Sequence, residues 1–156
     1  MSRPRRPPET KAGRVVLMMA GTLLAVVLAS PAHACRCKPP ATRAEAYRGA
    51  VAVVVAQVVA VEQRPDIDGL AVTVHVAEAW KASVPPTTSV VSGTTCRFEM
   101  QLGETYLLYL TRDPKMLRPE DREGYATAIC LGNVRRADAA EAIQWLRQRG
   151  RSMPIR

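Results

Sequence analysis

The chain has 156 residues, 47% hydrophobic and 23% charged, with a formal net charge of +8. That apolar content excludes a long disordered chain, and the presence of only one long apolar run excludes a polytopic membrane protein. Half of the positive excess sits in residues 1–34, which hold five Lys/Arg and one Glu.

Those residues read as an export signal. Arg3, Arg5, Arg6, Lys11 and Arg14 precede an apolar run from Val15 to Ala29, Ser30-Pro31 breaks it, and Ala32-His33-Ala34 supplies a small-x-small cleavage pattern. The run is shorter than the ~20 residues of a membrane span. A cleaved signal peptide over 1–34 and a single domain over 35–156 are expected, with Cys35 first in the exported chain. An uncleaved anchor is the alternative. Lipidation of Cys35 is a further one, although Ala32 stands where lipoprotein signals usually carry Leu.

Next come the elements in chain order. Lys38-Pro39-Pro40 is stiff and extended, because proline fixes φ and disfavours helix before it. Ala41 to Arg48 suits a short helix. Val51 to Val61, almost unbroken Val and Ala, reads as a buried strand, and Arg64 to Gly69 carries turn chemistry. Leu70, Val72, Val74 and Val76 alternate within Leu70 to Trp80, a half-buried strand that pairs with the first as a hairpin. Thr87 to Val91, Glu104 to Leu110 and Gly124 to Cys130 complete five strands. The last element is a helix, with Asp138 and Glu141 as a capping box, Ala139, Ala142, Ile143 and Leu146 on one face, and Gly150 as terminator. Several short strands with turns suggest a small barrel or sandwich, and Greek-key closure of five would be an OB-type barrel.

All four cysteines, Cys35, Cys37, Cys96 and Cys130, follow the expected cleavage point, and an even count in an exported chain reads as two disulfides. A Cys35–Cys37 bridge is disfavoured by its tight ring; the two other pairings stay open. A structural zinc lacks the usual close pairs at both ends, since only Cys35 and Cys37 are near in sequence. A redox role for the CxC pair is a third reading, with no CxxC to support it.

Catalytic chemistry is scarce. His75 is the one histidine after the signal, on the strand face opposite the valines, and a lone histidine supplies neither a zinc-enzyme site nor a Cys/His pair. Asp66 and Asp68 sit in a turn, with too few oxygen ligands for calcium. Arg112, Asp113, Lys115, Arg118, Glu120, Asp121, Arg122 and Glu123 form a mixed-sign loop expected to be solvated, as is the basic end with Arg147, Arg149, Arg151 and Arg156. No enzyme activity is expected.

The opening Cys35-Arg36-Cys37-Lys38-Pro39-Pro40 resembles the start of the tissue inhibitors of metalloproteinases, which begin Cys-x-Cys-x-Pro-Pro at a free N-terminus. Further likenesses follow in the same order. Ala52 to Val59 resembles the family's first barrel strand, and Trp80-Lys81-Ala82 its aromatic-Lys-Gly step. Cys96-Arg97-Phe98 with Gly103-Glu104-Thr105-Tyr106-Leu107 resembles its third cysteine and fourth strand. Thr127-Ala128-Ile129-Cys130 resembles the strand ending in its next cysteine.

The resemblance implies a netrin-type OB fold: a mainly β, five-stranded Greek-key barrel with short N-terminal and C-terminal helices, stapled by Cys35–Cys96 and Cys37–Cys130. It implies a secreted metalloendopeptidase inhibitor, extracellular or periplasmic. In that reading Cys35 chelates the target's catalytic zinc, Arg36 points into the pocket beside it, and Cys37, Lys38, Pro39 and Pro40 lie along the cleft. The expected partner is a zinc metalloprotease. No nucleic acid, no cofactor or metal of its own and no membrane contact beyond the signal are expected, and the protein is expected to be a monomer. The alternative is a non-inhibitory netrin-like interaction module of the cell envelope or matrix.

Overall fold

The computed structural model describes residues 35, 37–93, 96–114, 117–121, 123–150 and 152–155. The expected signal peptide and Arg36 lie outside the described residues. The elements are helix α1 (Arg43–Gly49), strands β1 (Ala52–Arg64), β2 (Gly69–Trp80), β3 (Thr87–Ser92), β4 (Thr105–Leu110), β5 (Tyr125–Thr127) and β6 (Val134–Arg135), and helix α2 (Ala140–Arg149).

The strands form one curled, half-barrel sheet in the order β5-β3-β2-β1-β4-β6. This corrects the expected closed five-stranded barrel in two ways. A sixth strand adds to the edge of β4, pairing Leu107 with Val134 and Tyr106 with Arg135. The two arms of the curl form no continuous ladder among the described residues: they are joined by the isolated bridge between Thr111 and Ala126 and by the hydroxyl of Thr127, which donates to the Tyr109 carbonyl. β4 has six residues and its ladder with β1 ends at the Gln57–Thr105 pair, with Val58 still bonded to Gly103 and Glu104; beyond that, among the described residues, β2 is the strand paired with β1 as far as Arg64.

The near-continuous Val/Ala run of β1 follows from burial on both faces. Ala52, Val54, Ala56 and Val58 join Leu70, Val72, Val74, Val90, Leu108 and Tyr125 inside the curl. Val53 and Val55 face the other way and pack with Trp80, Leu107, Tyr109, Ile143 and Leu146 beneath α2. A period-2 pattern disappears when both faces are covered. Past Val58 the cover ends, and Val59 to Gln63 are exposed. Register shifts at Val55/Ala56 and Val58/Ala60 mark bulges, which add local bend to the curl.

The hairpin turn is a 3-10 turn over Pro65–Ile67, followed by Asp68 at φ 46. Gly69 has a separate reason to lack a side chain: a Cβ there would lie 2.6 Å from the Cα of Gly93 and from the carbonyl oxygen of Ser92.

Two helix details also differ from the sequence reading. α1 begins two residues later than Ala41, because Thr42 caps it: its Oγ1 accepts from the amide of Glu45 at 3.2 Å. Asp138 does not cap α2. It ends a 3-10 turn over Arg136–Asp138, and buried Ala139 takes the cap position without a side-chain bond. The fifth strand is shorter than 124–130, since Ile129–Leu131 winds into a 3-10 turn.

Candidate functional site

The segment holding Cys35 and Cys37–Pro40 runs without regular structure into the capped start of α1. Cys37, Lys38 and Pro39 are exposed, and Cys35 and Pro40 are half-buried. Just beyond, the amide of Ala41 donates to Glu45 Oε2 at 2.9 Å, so the chain's entry into α1 is fixed by two side chains.

The other end of α1 is held by Lys81. Its ammonium donates to the carbonyl oxygens of Tyr47 and Arg48, both at 2.8 Å, and of Ala50. Lys81 sits at φ 75, which turns the chain after β2 back toward the helix. A cation at this end also suits the helix dipole. Tyr47 stacks edge-on against Trp145 of α2, at 5.9 Å between centroids, and Arg149 lies 4.7 Å over the Trp145 ring.

Two further segments meet the N-terminal one. Cys96 lies in the loop after β3 and Cys130 in the 3-10 turn after β5. The sulfurs of Cys35 and Cys96, and of Cys37 and Cys130, are at disulfide distance, with Cα atoms 5.0 and 5.8 Å apart, within the range a bridge spans. The amide of Ile129 donates to the carbonyl of Cys96 at 2.9 Å, tying the two loops directly.

A buried polar network anchors the Cys130 turn to β4. Asn133 Oδ1 accepts from the Tyr109 amide at 2.8 Å, and Asn133 Nδ2 donates to Thr127 Oγ1 at 2.7 Å and to the Ala128 carbonyl at 2.8 Å. Thr127 Oγ1 donates to the Tyr109 carbonyl at 3.0 Å. Every member is satisfied, which makes such a network rigid. Burial raises the Tyr109 hydroxyl above its ordinary pKa.

The structure therefore gathers Cys35, Cys37, Cys96 and Cys130 at one end of the sheet, with Lys38 and Pro39 exposed beside them. Ile129, 55% exposed next to Cys130, was not singled out from the sequence; an isolated isoleucine beside a cysteine carries no pattern. Lys81 and Asn133 carry no role legible in the sequence either, because the partners of Lys81 lie more than thirty residues away and Asn133 reaches back to β4 at Tyr109.

Within the loop expected to be solvated, Arg112 is exposed while Arg118 and Asp121 are tied to the β1–β2 turn; Lys115 and Arg122 lie outside the described residues. Arg64 donates to Asp66 through Nε at 3.1 Å and pairs with Asp121 at 3.3 Å, and Arg118 pairs with Asp66 at 2.8 Å. The hydrogen bond from Arg64 is the main reason the Asp66 carboxyl titrates below its usual range. His75 is exposed, with Nδ1 3.1 Å from Thr87 Oγ1. At the basic end Arg147 binds Glu78, whose carboxylate raises the guanidinium pKa, and the Met153 amide donates to the Ala79 carbonyl at 2.7 Å.

No protein-family model matches the chain, and no curated protein matches it.

Proposed function

We propose that the chain is an exported inhibitor of zinc metalloendopeptidases that acts through the amino terminus of Cys35. The observation that supports this best is the placement of the CxC segment: it lies at the surface, with Cys37, Lys38 and Pro39 exposed, yet its cysteines sit against two loops that are bonded to each other. A short, pre-ordered ridge loses little entropy on entering a protease cleft. The parallel β3–β5 pair and the Thr111–Ala126 bridge are consistent with an OB-type barrel left partly open.

In this reading signal cleavage after Ala34 frees the α-amino group of Cys35. With a pKa of about 7.7–8.0, roughly a tenth to a sixth of it is neutral at pH 7 and about half near pH 8. The amine and the Cys35 carbonyl then ligate the target's zinc and displace the water that would attack the substrate. Arg36 enters the neighbouring pocket, and Cys37, Lys38, Pro39 and Pro40 occupy the cleft. The chain needs no metal or cofactor of its own for this. N-terminal sequencing of the exported protein, followed by inhibition assays against a panel of zinc endopeptidases, tests the proposal. Cys35 at position one together with inhibition of at least one enzyme is expected. A different first residue, or no inhibition across the panel, refutes it.

The exposed stretch Val59–Gln63 of β1, paired among the described residues with β2 alone, favours a second reading, a netrin-like docking module. Strand edges of this kind accept an added strand. That activity requires no free amine.

A further inference from the structure

The spacing of the cysteines argues against a zinc site, but the fold removes that objection. The four sulfurs of Cys35, Cys37, Cys96 and Cys130 all lie within 4.8 Å of one another. Between the two bridged pairs, the Cys35 sulfur is 3.0 Å from that of Cys37 and 3.7 Å from that of Cys130. A tetrahedral zinc–thiolate centre with bonds of about 2.3 Å has sulfur–sulfur edges of about 3.8 Å. The Cys35–Cys130 separation matches that edge, and opening the two bridges on reduction frees the bonded pairs to move apart toward it within the same cluster.

We propose that, once its two bridges are reduced, the chain binds a single zinc-class cation through Cys35, Cys37, Cys96 and Cys130, so that the paired disulfides and a four-cysteine metal centre are alternative states of one cluster. Three observations carry this. The sulfurs converge from three separate segments, which gives the independent approach directions that tetrahedral coordination needs. Two of those segments stay in place without any sulfur bond, because the Ile129 amide holds the Cys96 loop and Asn133 holds the Cys130 turn. The third is restrained by the Thr42–Glu45 cap of α1 and by Pro39-Pro40. A four-thiolate centre on a divalent ion carries two negative charges, and Arg36, Lys38 and Arg97 are cationic chain neighbours of the ligands.

The chemistry balances with a dithiol reductant. Each bridge accepts two electrons and two protons from the dithiol, giving two thiols and the reductant's disulfide. Binding of the cation by four thiols then releases four protons. In the oxidised protein no thiolate remains to ligate. The inference does not rest on the inhibitor reading.

The test uses the exported protein, reduced with a phosphine, freed of it under anaerobic conditions, and titrated with Co2+ and then Zn2+. One Co2+ per reduced chain is expected, with the visible absorption of tetrahedral cobalt thiolate, lost on addition of one Zn2+ and absent from the oxidised protein. Cys130→Ser is expected to weaken binding roughly a hundredfold. That variant risks misfolding, so the reduced native sequence in denaturant serves as a second comparison: it keeps all four thiols without the fold and is expected to bind more weakly by a similar factor. Absence of the tetrahedral signature, a stoichiometry other than one, undiminished binding by Cys130→Ser, or equal affinity in denaturant each overturns the proposal.

Discussion

Leu107→Ala probes the half of the core that joins the sheet to α2. Leu107 is 0% exposed and packs with Val53, Val55, Trp80, Ile143 and Leu146. The change deletes three buried carbons, about 2.4 kcal/mol of transfer free energy at roughly 0.8 kcal/mol each. The cavity adds to this, because the walls are held apart. α2 is fixed to β2 by Arg147 and Glu78 and to α1 by Trp145 and Tyr47, and it has little freedom to sink into the gap. The expected total is about 3–4 kcal/mol, within the range of buried Leu→Ala changes. Urea unfolding of the oxidised protein measures it, with Leu102→Ala as the control. Leu102 is 67% exposed, and its loss should cost less than about 0.5 kcal/mol. A loss below about 1 kcal/mol for Leu107→Ala, or equal losses for the two, would refute the two-sided burial of the central strands.

Gly69→Ala and Gly49→Ala should differ in sign: a Cβ at Gly69 meets backbone at 2.6 Å while one at Gly49 meets nothing within 4 Å. Thermal melts should show Gly69→Ala destabilised by about 1–3 kcal/mol and Gly49→Ala neutral or stabilised by up to about 1 kcal/mol. Lys81→Met keeps the aliphatic stem but leaves the carbonyls of Tyr47, Arg48 and Ala50 without their ammonium donor. It should cost about 1–2 kcal/mol, since those carbonyls regain water; an unchanged melt contradicts the capping role. Asp66 has a lowered native pKa, so its contribution is complete above the unfolded value of about 3.9 and is lost as pH falls through the native one. Asp66→Asn should therefore melt earlier than the native sequence at pH 7, with the gap shrinking progressively as the pH falls below about 4 toward the lower native pKa; a gap that does not shrink over that fall contradicts the assignment.

The sequence makes the strands of the β1–β2 hairpin, the turn between them and the apolar face of α2 legible, because each carries a period or a turn signature several residues long. β6 is not legible: Val134–Arg135 is too short to show a period and exists only because β4 has a free edge. The capping box at Asp138 fails because Ala139 is buried beneath the sheet, which places a 3-10 turn where the cap was expected. At the site, the CxC-Pro-Pro segment can be read directly. The convergence of Cys96 and Cys130 on it depends on strand order and on Asn133, whose partners Tyr109 and Thr127 are identified only by the fold. The ionic ties of Arg64 and Arg118 are not legible for the same reason: Arg64 ends β1, and Arg118 lies in a distant loop that reads as ordinary mixed charge.

The free amine of Cys35 is the centre of the proposed function, and one alanine placed between Ala34 and Cys35, with cleavage preserved, tests it most directly. The extension turns the amine into a non-basic amide and crowds the metal, while the cysteines and the core are unaltered. Against a susceptible zinc endopeptidase, the inhibition constant should rise by several orders of magnitude, the scale of losing a metal ligand, with the melting temperature unchanged. Equal inhibition by the extended and native proteins would contradict chelation through Cys35 and leave the docking-module reading in its place.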